Sequence, residues 1–275
     1  MTLSATDYAF VQKLLVERAA IRIGPEQQYL VRSRLEPIAK QTGLPSLQAL
    51  VEQLRREPYG ALHLQVVEAM TTNETSFFRD VHPFAALKNV VLPEIIARKG
   101  HVQTLRVWSA ACSTGQEPYS LAMLFAETPA LARWDVRITA TDFARGPLEK
   151  AQRGCYNALE VGRGLPARML ATHFERAGTA FQVRAQVRSM IEWQQLNLAG
   201  RWPMMPIFDI VFMRNVLIYF EPASNQSILA NVRAVVHPQS YLFLGSTENM
   251  LGLNVGFESS TVGKTMLYRP TTRKA

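Results

Sequence analysis

Apolar positions over the first 70 residues recur at helical spacing. Tyr8, Val11, Leu14 and Leu15 form one stripe, with Ser4 and Asp7 at its head in the manner of a capping box, and Gly24-Pro25 ends it. Leu30, Val31, Leu35 and Ile38 form a second stripe, with Arg32 and Arg34 beside it, Pro37 inside it and Thr42-Gly43 as its stop. Ser46 heads a third (Leu47, Leu50, Val51, Leu54), and Pro58 precedes a fourth (Leu62, Val66, Met70). Four short amphipathic helices predict a small bundle over residues 1–72.

From about residue 80 the rhythm changes. A long helix at 81–99 leads into apolar runs at 105–108, 136–141, 207–213 and 241–244, separated by helical patterns at 117–127, 144–152 and 222–236. Strands alternating with helices predict a parallel sheet, hence an α/β domain over residues 73–275. The stretch 173–197 breaks the alternation. Phe181-Gln182-Val183 and Met190-Ile191-Glu192-Trp193 read as two strands of a small antiparallel insertion at about 172–195, and 265–269 reads as a last strand.

Composition narrows this picture. A chain of 275 residues, 48% apolar and 19% charged, can build one large domain or a medium and a small one, and is not a disordered chain. No apolar run approaches the roughly 18 residues that span a bilayer, and residues 1–10 lack the pattern of an export signal. Cys112 and Cys155 are too few for a disulfide framework and fit a reducing compartment, so a soluble, cytoplasmic protein is expected. A net charge of +8 favours an anionic partner: nucleic acid, a membrane surface or an acidic protein. The bases are scattered, with Arg55-Arg56 and Arg273-Lys274 as the densest clusters. The five histidines show no metal-ligand spacing, so no metal site is expected.

Open parallel sheets bind ligands beyond the carboxyl ends of their strands. After the first strand comes Ser109-Ala110-Ala111-Cys112-Ser113-Thr114-Gly115-Gln116-Glu117-Pro118. Its small residues let a ligand approach the backbone, yet it has one glycine where a dinucleotide fingerprint has three, which disfavours pyrophosphate. Glu117 at a helix start suits a ligand ammonium group, or is simply an acid favoured by the helix dipole. Thr141-Asp142 closes the second strand, where an acid can accept from ribose hydroxyls or merely cap a helix. Together they suit a ligand with a ribose and an amino-acid end but no phosphate, and S-adenosylmethionine (SAM) fits. Arg214, with Tyr219 nearby, is a candidate carboxylate clamp at the end of the third strand; structural pairing of Arg214 with Asp209 or Glu221 is the alternative. Cys112 has no base in its motif and reads as a small packing residue.

The linker Met70-Thr71-Thr72-Asn73-Glu74-Thr75-Ser76-Phe77-Phe78-Arg79-Asp80 could be no more than a helix cap with an aromatic anchor. It resembles, however, the N-x-T-x-F-F-R signature of the chemotaxis receptor methyltransferases, the CheR family. The blocks W-S-A-A-C-S-T-G-Q-E-P-Y-S, T-D and F-M-R-N-V-L-I-Y-F agree with that family in order and spacing across most of the chain. The resemblance implies a helical bundle before a Rossmann-like class I SAM methyltransferase domain. It implies methyl transfer from SAM to glutamate carboxylates of chemoreceptors, giving methyl esters and S-adenosylhomocysteine. By motif, cofactor contacts fall to Asn73, Thr75, Arg79, Glu117, Asp142, Asn197, Leu198, Arg214 and Asn215, with Asn197 and Leu198 at the adenine. Arg79, Arg214 and Tyr219 would act on the substrate carboxylate. Its partner would be the acidic cytoplasmic helices of a receptor, met by a monomer through Arg32, Arg34 and their neighbours. The short turn at 178–186, without a second glycine-rich stretch, argues against docking of a receptor's C-terminal peptide. Two alternatives stay open. A nucleic-acid methyltransferase would carry an Asn/Asp-Pro-Pro-aromatic tetrad where this chain has Arg214-Asn215-Val216-Leu217. A non-catalytic SAM-binding scaffold would bind without turnover.

Overall fold

The computed structural model describes residues 3–271, so the Arg273-Lys274 pair lies outside the described residues. The chain divides into two compact units. One is helical, runs to Thr72 and takes in Asn197–Arg201 and Tyr219–Asn225; the other holds the remainder.

The helical unit is built from α1 (Ala5–Ala19), α2 (Gln28–Gln41), α3 (Leu47–Arg56) and α4 (Ala61–Ala69). The expected caps form: Ser4 Oγ accepts from Asp7 N at 3.1 Å and Ser46 Oγ from Ala49 N at 3.1 Å, each satisfying a helix-start donor. The stripes face inward, with Val11, Leu15, Val31, Leu35, Leu50, Val51 and Val66 fully buried. Pro37 sits inside α2. Arg34 ties down the end of α4, its Nη1 donating to Met70 O (2.7 Å) and Thr71 O (3.0 Å). Arg32 is exposed and pairs with Glu36 one turn on, at 2.7 Å.

The second unit begins with α5 (His82–Ala86) and α6 (Leu92–Lys99), joined by a π-helical turn, Leu87–Val91. Periodicity predicts one helix here, and the chain does stay helical. Pro93 cannot donate backwards, and the preceding backbone widens so that Leu92 N reaches Leu87 O, five residues back. Then follow β1 (Thr104–Ala110), α7 (Gln116–Ala126), β2 (Asp135–Asp142), α8 (Arg145–Arg153), β3 (Cys155–Tyr156), α9 (Ala158–Gly162), α10 (Ala167–His173), β4 (Phe174–Ala177), β5 (Ala180–Val183), α11 (Ala185–Arg188), β6 (Ile191–Gln195), β7 (Phe208–Met213), α12 (Pro222–Ala234), β8 (Val236–Leu244), β9 (Phe257–Val262) and β10 (Thr265–Pro270). Seven strands form one sheet in the order β6-β2-β1-β7-β8-β10-β9. The first five are parallel, and the β9–β10 hairpin closes the sheet antiparallel to β8. Strand order reverses between β1 and β7, which makes their carboxyl ends the switch point. No helix among the described residues is long and apolar enough to cross a membrane.

The antiparallel insertion exists but has different members. It is the sheet β3-β5-β4, whose hairpin turns at Gly178-Thr179. The 190–193 run, expected in it, instead begins β6, parallel to β2 at the edge of the main sheet, with Ile191 opposite Ile138. A strand of four or five residues carries no signal of which sheet it joins, so spacing alone misassigned it.

At the amino ends of the strands Asp209 is the one acid inside the otherwise apolar β7. It accepts from Lys99 Nζ at 2.8 Å, from Arg106 N at 2.9 Å and pairs with His237 Nε2 at 3.1 Å. Burial alone would raise its carboxyl, but the bonds from His237, Lys99 and Arg106 and the Lys99 charge hold it below the ordinary value. Such a group stabilises the fold above its unfolded pKa of about 3.9, and that stability is lost as pH falls through the lower folded value. Asp209→Asn should therefore cost about 3 kcal/mol at neutral pH. In acid unfolding series the gap from wild type should narrow below about pH 4. A gap that is unchanged or wider in acid would contradict this role.

Candidate active site

The loop between β1 and α7 is held in a conformation few residues accept. Ala111 (φ 56°), Ser113 (φ 52°) and Gly115 (φ 92°) are all left-handed. Gly115 has no substitute, since a Cβ there would lie 2.7 Å from Ala151 Cβ and 3.0 Å from the Tyr156 hydroxyl. The loop hangs on the end of β2: Cys112 N donates to Thr141 O (2.9 Å) and Ser113 N to Asp142 Oδ2 (2.7 Å). Asp142 Oδ1 accepts from Ala144 N (2.9 Å) at the start of α8. Asp142 thus both fixes the turn into α8 and fastens the β1 loop. A carboxylate offers about four acceptor directions, so these bonds are compatible with a ribose partner.

The 73–80 linker is anchored in the same place. Phe77 is fully buried, edge-on to Tyr156 (centroids 5.1 Å) and Phe174 (5.8 Å). Such burial is worth about 1.5–3 kcal/mol and each ring pair up to about 1.5 more. Phe78 N donates to Ser120 Oγ (2.9 Å), and Asn73 O accepts from Ser113 Oγ (2.8 Å). Thr75 is half-buried between these ties. Phe78, Asp80 and Val81 are left-handed as well, so this backbone is held against its local preference.

Arg214, just beyond β7, joins the segments. Its side chain is 1% exposed, with Nη1 on Glu117 Oε2 (3.0 Å) and Nη2 on Asp80 Oδ2 (2.6 Å) and Arg79 O (3.0 Å). Its buried Nε has no hydrogen-bond partner among the described residues. The partners are therefore Glu117 and Asp80. The alternatives drawn from the sequence are engaged elsewhere: Asp209 with Lys99, and Glu221 with Arg22 inside the helical unit. Glu117 also accepts from Ser109 Oγ at 2.8 Å. Burial raises its carboxyl above the ordinary value, opposed by the Arg214 charge and by bonds from Ser109 and Arg214. Burial, with the charges of Asp142 and Glu117, pushes the Cys112 thiol well up, which suits a packing residue rather than a nucleophile.

Arg79 differs from Arg214. Among the described residues its side chain makes one hydrogen bond, from Nη1 to Glu74 O at 3.0 Å, and it is half-exposed. Asn215 is left-handed at φ 57°. The remaining expected site residues, Asn197, Leu198 and Tyr219, group with the helical unit. There Asn197 Nδ2 donates to Arg18 O (2.7 Å), its Oδ1 accepts from Ala199 N (3.0 Å), Leu198 is buried, and Tyr219 O accepts from Arg22 N. Sequence reasoning missed Asp80 and Glu248. Asp80 directly follows the linker motif. Glu248 lies just past β8, where the rule used for the other strands also applies.

The donor set fits SAM. Asp142 closes β2 and Glu117 opens α7, small residues line the loop, the acids Asp80, Glu117 and Asp142 outnumber Arg79 and Arg214, and a buried guanidinium N–H is unmatched among the described residues. An excess of carboxylates suits a ligand carrying a sulfonium and an ammonium, and Arg N–H groups suit its carboxylate. The fold and these groups define a Rossmann-like, SAM-binding methyltransferase domain behind an all-α domain. A model described as CheR methyltransferase, SAM binding domain, matches residues 73–266, and one described as CheR methyltransferase, all-alpha domain, matches 6–71. The chain is 38% identical to chemotaxis protein methyltransferase Cher2 of Pseudomonas putida, over 98% of this chain and 99% of that one. It is 39% identical to chemotaxis protein methyltransferase 1 of Pseudomonas aeruginosa, with the same coverage. With the chemotaxis protein methyltransferase of Escherichia coli it shares 32% over 94% of this chain and 89% of that one. The chain belongs to the CheR methyltransferase family.

The two arginines should separate in stability. Arg214→Ala leaves buried Glu117 without its cation and should cost about 3–5 kcal/mol in urea unfolding. Arg79→Ala should leave the unfolding midpoint unchanged. Equal losses would contradict the division.

Proposed function

We propose that this protein transfers the methyl group of SAM to glutamate side-chain carboxylates of chemoreceptors, giving methyl esters and S-adenosylhomocysteine, and that it works in the cytoplasm. The observation that supports this most is the linker motif, matched within a full-length similarity to chemotaxis methyltransferases and tied by Ser113 and Arg214 to the carboxyl ends of β1 and β7.

When bound, SAM supplies an electrophilic methyl group on a sulfonium. A receptor glutamate, with a pKa near 4.3, is already ionised at neutral pH, so the protein's residues have no proton to remove. Their work is alignment and exclusion of water, which can supply about 7–11 kcal/mol. Arg79, with one internal hydrogen bond and partial exposure, is the group we assign to the incoming carboxylate. Arg214, enclosed by Asp80 and Glu117, is assigned to holding the cofactor's amino-acid end through Glu117 and its own Nε–H. Asp142 is assigned to the ribose and Asn197 and Leu198 to the adenine; Asn73, Thr75 and Asn215 shape the cofactor's surroundings. Tyr219 supplies a positioning hydroxyl. The substrate is read as the acidic cytoplasmic helices of the receptor, without a C-terminal peptide tether, and the enzyme as a monomer.

Incubation with methyl-labelled SAM and chemoreceptor membranes tests this. Label should enter receptor protein and leave as volatile methanol in base. Arg79→Ala should bind SAM normally and label no receptor. Base-stable label, or label in RNA with none in any of a panel of receptors, would overturn the reading.

A further inference from the structure

One carboxylate beside this site is held in an unusual way. Glu248, in the loop after β8, is 8% exposed. Its Oε1 accepts from Val216 N (2.8 Å) and Leu217 N (2.7 Å), and its Oε2 from Asn215 N (2.7 Å) and Gly245 N (2.6 Å). Three successive N–H groups pointing at one anion make a backbone nest, a concavity that favours negative charge. The fourth donor comes from the end of the neighbouring strand, so a single carboxylate stitches the carboxyl ends of β7 and β8 together. Room for it is made by Gly245: a Cβ there would sit 2.6 Å from Glu248 Oε2 and 2.9 Å from Asn215 N.

The nest begins at the residue whose conformation matters most. Asn215 is left-handed at φ 57°, a state that costs free energy outside glycine and persists only where the surroundings over-determine it. Rotation of this residue would re-aim the chain directly after Arg214, whose guanidinium meets Glu117 and Asp80 within 3.0 Å. Neutral main-chain donors could be met by water or a hydroxyl. A full carboxylate, with two oxygens and about four lone-pair directions, is the side chain that can take all four at once.

We propose that Glu248 is a positioning residue, whose carboxylate locks the 214–217 turn against the end of β8 and thereby keeps Arg214 and Asn215 in the orientation that methyl transfer uses. The functional half of this rests on the methyl-transfer reading above; the lock itself does not. Glu248 touches no reacting atom and acts through the turn.

Glu248→Gln is nearly isosteric but has one acceptor oxygen, so it loses two of the four bonds. Hydrogen exchange on the whole protein should show amides among Asn215, Val216, Leu217 and Gly245 exchanging at least about 10-fold faster, while β7 amides keep their protection. Turnover should fall roughly 10- to 100-fold, as small misplacements of catalytic groups do, and SAM affinity by calorimetry should weaken as well, because Arg214 and Asn215 are assigned to the cofactor. Gly245→Ala, which displaces the carboxylate by another route, should speed exchange at the same amides. Unchanged exchange in both variants, or turnover that falls only in step with the folded fraction, would overturn the proposal. Absence of receptor methylation by the wild-type enzyme would count against the methyl-transfer reading alone, and the exchange result then decides the lock.

Discussion

A buried guanidinium must find counter-charges or destabilise the fold, and Arg214 finds them on two distant segments. Asp80 lies 134 residues away in sequence and Glu117 lies 97 away. The 73–80 linker, the start of α7 and the end of β7 therefore depend on one another. Each of these segments also carries left-handed residues, Asp80, Ser113 and Asn215 among them, whose strain the shared bonds sustain. The result is a set of donors and acceptors fixed before any ligand arrives, which is what a reaction driven by alignment requires.

The α/β unit uses the same chemistry at both ends of its sheet for different ends. At the amino ends, Asp209 with Lys99 and His237 is enclosed and fully engaged, a structural tie. At the carboxyl ends, Arg214 retains an unmatched N–H and Arg79 is half-exposed. Among the described residues many arginines are paired locally, as in Arg32–Glu36, Arg106–Asp135 and Arg145–Glu149. Arg34, expected on the docking face, is also bonded to the end of α4.

Much of this was legible in the sequence, for physical reasons. The buried strands β1, β2, β7 and β8 appear as apolar runs because both faces of a parallel sheet are covered. Ser4 and Ser46 announce their helices because a free N–H needs an acceptor. Glu117 and Asp142 drew notice because they follow strand ends, where open sheets meet ligands. What failed was whatever depends on distant pairing. β9 has an exposed face and no apolar alternation, β3 has two residues, and β6 could have joined either sheet. The partners of Arg214 were sought close by in sequence, at Asp209 and Glu221. Glu248 drew no notice because its partners are main-chain groups, which leave no trace in residue identity.

The most direct measurement is residue-level mass spectrometry of receptor incubated with the protein and SAM carrying a deuterated methyl group. Heavy methyl groups on glutamate side chains of the receptor's cytoplasmic helices are the expected result, lost in the Arg79→Ala variant. Heavy methyl on any other atom, such as a lysine or arginine nitrogen, or its absence from every receptor while SAM is bound, would contradict glutamate methylation as the function of this fold.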